Sequence, residues 1–363
     1  MVSVSDPAIS MKANPQKAIA SQIMLSIAAF VVVIAGMRAA TTIVVPFLLA
    51  AFIAIISAPP MFWLHRKGLP VWFSLLIVIV AVVLIGLLIS GLVGSSVKVF
   101  TKELPVYEAK LRQYIAVILS WIEKIGIDTS GVDWTGLLNP GAAMKLIAIG
   151  LNSLGNVLAN GILILMTVIF MLIEASSLPI KLRTILGDTE NALTNFDTFI
   201  NNVKHYMAIK TVVSLATGIV IAVWLTVIGV DFPVLWGLLA FFLNYVPNIG
   251  SIIAAIPAVL LAILQLGVVQ ALTAAAGYVV VNMVMGSVIE PRFMGRGLGL
   301  STLVVFLSLI FWGWVLGPVG MLLSVPLTMT AKIALDAREE TRWLSILLGP
   351  EMVPRQAVET VEE

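Results

Sequence analysis

The sequence contains no cysteine and only two histidines, His65 and His205. Disulfides, iron–sulfur clusters and thiolate zinc sites are therefore excluded, and a histidine-based metal site is disfavoured. Charged residues form only 11% of the 363 residues, whereas soluble domains carry about 25%. The net charge is +2, and the basic residues are spread along the chain. The sequence therefore lacks the clustered basic residues of a nucleic-acid-binding protein. These deficits exclude a soluble enzyme and predict no cofactor, no metal and no nucleic-acid partner.

Apolar sequence is what the chain has in abundance. Hydrophobic residues form 60% of it, and six uncharged stretches run for 20 to 35 residues. A further stretch, between Asp231 and Glu290, is 58 residues long. Because about 20 apolar residues suffice to cross a bilayer, the sequence predicts an all-α polytopic membrane protein. We expect about eight transmembrane helices, some of them broken by Pro and Gly or re-entrant.

The charges suggest how the chain is organised. We expect a variable N-terminal segment 1–18, three spans in 19–97, an extramembrane helical segment 98–145, a core of spans four to eight in 146–335 and a tail 336–363. The core includes an amphipathic segment, 174–210. The basic loop His65–Lys67 and the basic tail predict that both termini are cytoplasmic and that 98–145 is periplasmic. On this count Arg292 and Arg296 would lie on the outer side, against the positive-inside rule.

A first backbone break is expected at the polar run Asn244–Gly250, which contains Pro247 and is followed by Pro257. Proline removes a helical hydrogen bond and glycine permits unusual backbone angles. In lipid, the freed backbone groups must be satisfied by protein or by water in a cavity. Two interpretations are open. The run is either a substrate site that includes Asn244 and Asn248, or a tight turn in which asparagine caps a helix.

A second break, from Ile289 to Leu300, places charges between apolar flanks. An ionisable residue at membrane depth is by default a functional hypothesis. Glu290 could form a buried ion pair with Arg292 or Arg296, which is costly unless well coordinated. The alternative is a capped turn at the headgroups.

A third break is expected around Gly317, Pro318 and Gly320, where packing of small residues is the simpler role. Asn282 is an isolated polar residue within a span. Its side chain either bonds a neighbouring helix or contacts a substrate.

The motifs at these breaks, in this order and spacing, resemble those of the autoinducer-2 exporter family of bacterial membrane proteins. The resemblance runs from about Ile19 to Ala334. Its matching segments are 44–47, 244–250, 256–257, 289–295 and 317–326. The stretch 295–303 is similar to that of the members that export the signal itself.

The resemblance implies a multi-pass transporter of the bacterial inner membrane, not an enzyme. It further implies export of the quorum-sensing signal autoinducer-2, a small polar furanone-type molecule, by a homo-oligomer expected to be a pentamer. Our hypothesis is that the first two breaks meet near mid-membrane and move together against the first spans. The expected substrate-binding residues are Asn244, Asn248, Asn282, Glu290, Arg292 and Arg296. The expected hinges are Pro247, Gly250, Pro257, Pro291, Gly295, Gly317, Pro318 and Gly320.

Two other functions are open. Some relatives are described as sodium/proton antiporters, which would need a titrating carboxylate at membrane depth. Glu290 is the first candidate for it and Asp231 the second. A non-transporting membrane scaffold that binds a periplasmic partner through 98–145 is the other alternative. No catalytic constellation is present in the spans, so an intramembrane enzyme is disfavoured.

Overall fold

The computed structural model describes residues 15–125, 149, 160–175, 181, 190–247, 249–294, 299–336 and 339–350. Within these residues every regular element is helical, which confirms the all-α prediction. The helices are α1 (Pro15–Ala39), α2 (Thr41–Arg66), α3 (Val71–Lys124), α4 (Gly161–Ala175), α5 (Glu190–Ile228), α6 (Pro233–Leu243), α7 (Ile249–Leu266), α8 (Val268–Asn282), a π-helical turn (Met283–Ile289), α9 (Glu290–Met294), α10 (Thr302–Leu322), α11 (Ser324–Asp336) and α12 (Arg342–Leu347).

Length and composition make this a polytopic membrane protein, as predicted. In the described part of the chain, six helical stretches are long and apolar enough to cross a membrane. They are α2, α3, α5 from Val203, α7, α8 continued to Phe293, and α10. Large apolar side chains such as Leu84, Leu87 and Leu88 point outward and are exposed. Such a surface is stable facing lipid, because the helices satisfy their backbone groups internally.

Helices α6 and α7 form a re-entrant hairpin. α6 has 11 residues, so it extends about 16 Å and cannot cross a hydrocarbon core of about 30 Å. The two ends of the hairpin are joined, because the backbone N–H of Asp231 donates to Gln265 Oε1 over 3.0 Å and the Gln265 amide donates to the Asp231 carboxylate. The chain therefore turns at 244–247 and returns to the end from which it came.

Close backbone contact seats this hairpin on α5. A Cβ atom on Gly218 of α5 would lie 2.7 Å from the carbonyl oxygen of Gly237 on α6. Because no side chain separates the two helices there, α6 packs against α5 along its backbone. The hairpin and α5 thus form one packed unit.

A second hairpin consists of α10 and α11. The backbone at Gly317 leaves the helical region with φ 70° and ψ −153°, so α10 is broken there. Trp312 Nε1 donates to Thr328 Oγ1 over 3.0 Å across the two arms. At the open end of the hairpin, the Lys332 ammonium donates to the carbonyl oxygen of Gly299. The long uncharged stretch after Arg296 therefore holds a helix and a returning half, not one straight span.

Because the first hairpin returns to its starting end, the second break lies on the opposite side from the one expected from the sequence. Lys204 lines a pocket together with Arg66, so the start of the α5 span lies at the same end of the bundle as the His65–Lys67 loop. Lys210, six residues further on, contacts Glu290. Arg292 therefore lies at the His65–Lys67 end, and its expected placement on the opposite side was wrong. The expectation failed because residues 233–266 enter and leave at the same end. Arg296 lies outside the described residues.

Two of the segment boundaries predicted from the sequence, at residues 97 and 210, fall inside continuous helices. α3 runs unbroken through residue 97 for 54 residues, about 81 Å. Its distal half packs on the hairpin, with Phe100 and Tyr107 in one apolar cluster with Trp236 of α6. The second half of the amphipathic segment continues directly into the fifth span as α5.

Candidate substrate site

A buried polar stripe runs along α5. Tyr206, Lys210 and Ser214 follow one another at intervals of four residues, so their side chains share one face of the helix. All three are buried, with Lys210 3% exposed and Ser214 fully enclosed. Polar groups inside an apolar span need partners within the protein. The stripe therefore marks the face of α5 on which polar contacts are concentrated.

The central contact of the stripe is an ion pair between α5 and α9. Lys210 Nζ lies 2.6 Å from Glu290 Oε1, and the Glu290 side chain is 16% exposed. Glu290 directly follows the π-helical turn Met283–Ile289, an element that is frequent at functional sites. Glu290 is thus paired with Lys210, not with Arg292, whose side chain is exposed. Lys210 is buried although it borders the uncharged stretch that runs to Asp231.

The tip of the first hairpin reaches the same stripe. Asn244 Nδ2 donates to Ser214 Oγ over 3.0 Å. The hydroxyl of Tyr245 donates to Thr211 Oγ1 over 2.8 Å. Ser214 lies one helical turn, about 6 Å, from Lys210. Both of the first two breaks therefore attach to neighbouring turns of α5.

We call this set the buried cluster. Its members are Lys210, Thr211, Ser214, Asn244, Tyr245 and Glu290. The ring of Tyr245 also meets Phe52 of α2 edge-on, with ring centroids 5.2 Å apart. The buried cluster thus lies where the hairpin and α5 meet the first spans.

Asn282 occupies a different place. It lines a groove of about 460 Å³ between α7 and α8, together with Ser251 and Tyr278. The walls of this groove are mostly apolar and include the exposed side chains of Ile252 and Val279. Among the predicted binding residues, the structure thus joins Asn244 and Glu290 to α5, whereas Asn282 faces an outward groove. Asn248 and Arg296 lie outside the described residues.

At two of the predicted hinges, Gly250 and Gly320, the backbone leaves no room for a side chain. A Cβ atom on Gly250 would lie 1.7 Å from the carbonyl oxygen of Leu243, so only glycine allows the turn after Pro247 to close. A Cβ atom on Gly320 would lie 2.0 Å from the carbonyl oxygen of Trp312. The second hairpin therefore also depends on glycine at its tip.

The prolines among the predicted hinges lie at different kinds of backbone position. Pro318 follows the break at Gly317 directly. Pro257 lies inside the continuous helix α7, and Pro291 is the second residue of α9. Gly295 lies outside the described residues.

A second polar cluster joins the two ends of the first hairpin, and we call it the foot cluster. It contains Asp231, Gln265, Tyr107 and Trp236. Gln265 Nε2 also donates to the Tyr107 hydroxyl over 3.3 Å, and Trp236 Nε1 donates to the backbone oxygen of Asp231 over 2.9 Å. Asp231 is exposed. The foot cluster holds the hairpin closed at the end opposite the buried cluster.

Seven members of the two clusters were not singled out as site residues from the sequence: Tyr107, Lys210, Thr211, Ser214, Trp236, Tyr245 and Gln265. A signal for two of them, Lys210 and Ser214, was present, since polar residues recur every fourth position from Tyr206 to Ser214 within a mostly apolar stretch. No comparable period indicates Tyr107 or Tyr245. In the described part of the chain, no group of three His, Asp or Glu side chains could hold a metal ion.

Comparison with known proteins agrees with this architecture. Residues 27–340 match the profile of the AI-2E family transporters. The chain is 41% identical over 328 residues to the AI-2 transport protein TqsA of Escherichia coli (strain K12), an alignment that covers 90% of this chain and 95% of that protein. It is 39% identical over 332 residues to a putative transport protein of Haemophilus influenzae, covering 90% and 95%. It is 38% identical over 330 residues to the putative transport protein YhhT of Escherichia coli (strain K12), covering 90% and 94%.

Proposed function

Because the chain belongs to the AI-2E transporter family and is a multi-pass membrane protein, we propose that it exports autoinducer-2 from the cytoplasm across the bacterial inner membrane. The relative TqsA is named as an AI-2 transport protein. The observation that carries the proposal is that Asn244 and Glu290, from two separate backbone breaks, attach to one buried face of α5. The buried cluster is our candidate for the substrate site.

The chemistry of the buried cluster suits a small, hydroxyl-rich molecule. Amide, hydroxyl, ammonium and carboxylate groups together donate and accept hydrogen bonds over a short length of α5. A neutral polyhydroxy substrate can exchange partners with Asn244 and Ser214 without leaving either buried group unsatisfied. The same proposal includes three further residues near the substrate path: Asn248, Arg292 and Arg296. It also includes Asn282 as a substrate contact in the groove between α7 and α8.

The proposed movement follows from the two breaks. Re-entrant segments at a binding site are common where one part of a transporter moves against another. We take the first hairpin with α5 and α9 as the moving part and the first spans as its support. The edge-on contact between Phe52 and Tyr245 then lies at the boundary that must slide. The hinges are those predicted at the hairpin tips.

Orientation and assembly belong to the same proposal. With His65–Lys67 and the tail in the cytoplasm, the buried cluster lies nearer the cytoplasmic end of the bundle and the foot cluster nearer the periplasmic end. Substrate would then enter close to the buried cluster. We further propose a homo-oligomer, a pentamer, as the family resemblance implies.

The test is solute flux in proteoliposomes that contain only the purified protein. Autoinducer-2 efflux is followed with and without an imposed proton or sodium gradient. We expect saturable efflux that Asn244→Leu abolishes while the variant still reconstitutes. Gln270→Leu, an exposed amide on α8, is the matched control and should retain efflux. Normal efflux by Asn244→Leu would refute the site. No autoinducer-2 efflux by the native protein would refute the function, and the absence of any solute or cation flux would favour the scaffold alternative.

One observation favours the antiporter alternative. Glu290 is a carboxylate within an apolar span, and its contact with Lys210 offers two groups between which a proton could be exchanged. This alternative predicts cation-driven proton movement that Glu290→Gln eliminates. Autoinducer-2 efflux without any cation-driven proton movement would exclude it.

A further inference from the structure

A second pocket lies at the end of the bundle that carries the His65–Lys67 loop. It has a volume of about 280 Å³ and is lined by Ala58, Pro59, Phe62, Trp63 and Arg66 of α2 and by Lys204 of α5. The five α2 residues recur at helical spacing and therefore form one face of its last turns. Arg66 is the last residue of α2, and Lys204 of α5 lines the same pocket beside it. Both cations thus lie at the level where hydrocarbon meets headgroups.

The charge in this pocket is unbalanced. In the described part of the chain, neither Arg66 nor Lys204 belongs to any of the ion pairs. A third cation is close, since the Lys67 ammonium lies 4.0 Å from the ring centroid of Trp63. Cations held together without a carboxylate favour an anionic ligand.

The rest of the pocket is apolar and aromatic. Ala58, Pro59 and Phe62 lie deeper in the span than Arg66, because α2 ends at that residue. A ligand that fills the pocket must therefore carry negative charge at its outer end and apolar groups at its inner end. The guanidinium of Arg66 matches the geometry of a phosphate. Tryptophan, here Trp63, is enriched at the bilayer interface.

From this arrangement we propose that the pocket binds the phosphodiester headgroup of an anionic phospholipid, with Arg66 and Lys204 on the phosphate and the start of the acyl chains over Pro59 and Phe62. The lipid would join α2 to α5 at a point six residues before Lys210. It is therefore a structural ligand between the first spans and the helix that carries the buried cluster. The inference does not depend on which substrate the protein moves.

The experiment measures lipid binding, not transport. The full-length protein in detergent is titrated with phosphatidylglycerol, and bound lipid is counted by native mass spectrometry, with phosphatidylcholine and inorganic phosphate as separate probes. We expect one phosphatidylglycerol molecule to bind preferentially to each chain. Neither phosphatidylcholine nor millimolar inorganic phosphate should displace it. Displacement by inorganic phosphate would overturn the lipid assignment in favour of a phosphate site.

The double variant Arg66→Gln/Lys204→Gln removes both cations. At about fivefold per interfacial charge, it should weaken phosphatidylglycerol binding about 25-fold. Lys110→Gln/Arg112→Gln makes the same change of charge on exposed residues of the distal half of α3 and should leave binding unchanged. Equal affinity in the first variant, or an equal loss in the control, would overturn the proposal.

A second measurement covers the case in which the double variant does not fold. Binding of phosphatidylglycerol to the native protein should weaken as salt is raised, because the contacts are ionic and close to water. Binding that is independent of salt would indicate that acyl chains alone are recognised and would also overturn the proposal.

Discussion

The buried cluster and the foot cluster tie opposite ends of the same hairpin to the rest of the protein, yet they use different chemistry. In the buried cluster, hydrogen bonds from the hairpin tip to α5 lie beside a full ion pair between α5 and α9, in mostly buried surroundings. At the feet, an exposed carboxylate accepts from a neutral amide. Removing one partner is costly where water cannot replace it and cheap where water can. The tip should therefore be sensitive to single substitutions, and the feet should tolerate them.

The largest effect is expected when the ion pair loses one charge. Glu290→Gln leaves the Lys210 ammonium buried without a counter-charge and should lower the free energy of unfolding by about 3–5 kcal/mol. The double variant Lys210→Met/Glu290→Gln removes both charges and should recover a large part of that loss. Unfolding by increasing SDS in mixed micelles, followed by tryptophan fluorescence, measures both. A double variant no more stable than the single one would show that the ion pair itself stabilises the protein and that the orphaned charge is not the cause of the loss.

The next effect concerns the turn at the tip. Gly250→Ala forces a Cβ atom against the Leu243 carbonyl oxygen and should destabilise the protein by about 1–3 kcal/mol. Gly91→Ala is the control, because a Cβ atom there meets nothing within 4 Å, and it should be neutral or slightly stabilising. The same unfolding assay compares the two variants. Equal stability would mean that the tip backbone can shift freely.

A smaller effect is expected for the neutral hydrogen bond at the tip. In a double-mutant cycle, Asn244→Ala and Ser214→Ala should be coupled by about 1 kcal/mol, since one buried hydrogen bond joins them. Asn244→Ala paired with Thr226→Ala, an exposed hydroxyl on the same helix, should show no coupling. Coupling near zero in the first cycle would mean that this hydrogen bond does not help to hold the tip on α5.

The smallest effect is expected at the feet. Asp231→Asn retains a side-chain acceptor for Gln265 at an exposed position, so the free energy of unfolding should change by less than about 0.5 kcal/mol. Efflux should also remain near that of the native protein. A loss as large as that of Glu290→Gln would erase the contrast between the two clusters and would revive Asp231 as a functional carboxylate.

How much of the site was predictable depends on whether the signal is local. Asn244, Glu290, Gly250 and Gly317 stand out in the sequence because polar or helix-breaking residues are rare in apolar spans. The partners of Asn244 and Glu290 do not stand out. Lys210 lies near the end of an uncharged stretch, where an interfacial position is the natural expectation, and 80 residues separate it from Glu290.

The sequence by itself determined the class of protein and the places where its helices break. Apolar runs of sufficient length can be stable only in lipid, and proline and glycine act on the backbone next to them. The tertiary structure alone decided that residues 233–266 return to the end from which they start, and hence on which side Arg292 lies. It also decided that Lys210 is the partner of Glu290. The first of these depends on the packing of α6 on α5 through Gly218 and Gly237, and the second on the packing of α8 and α9 on α5. Both are contacts between distant segments, which no local pattern encodes.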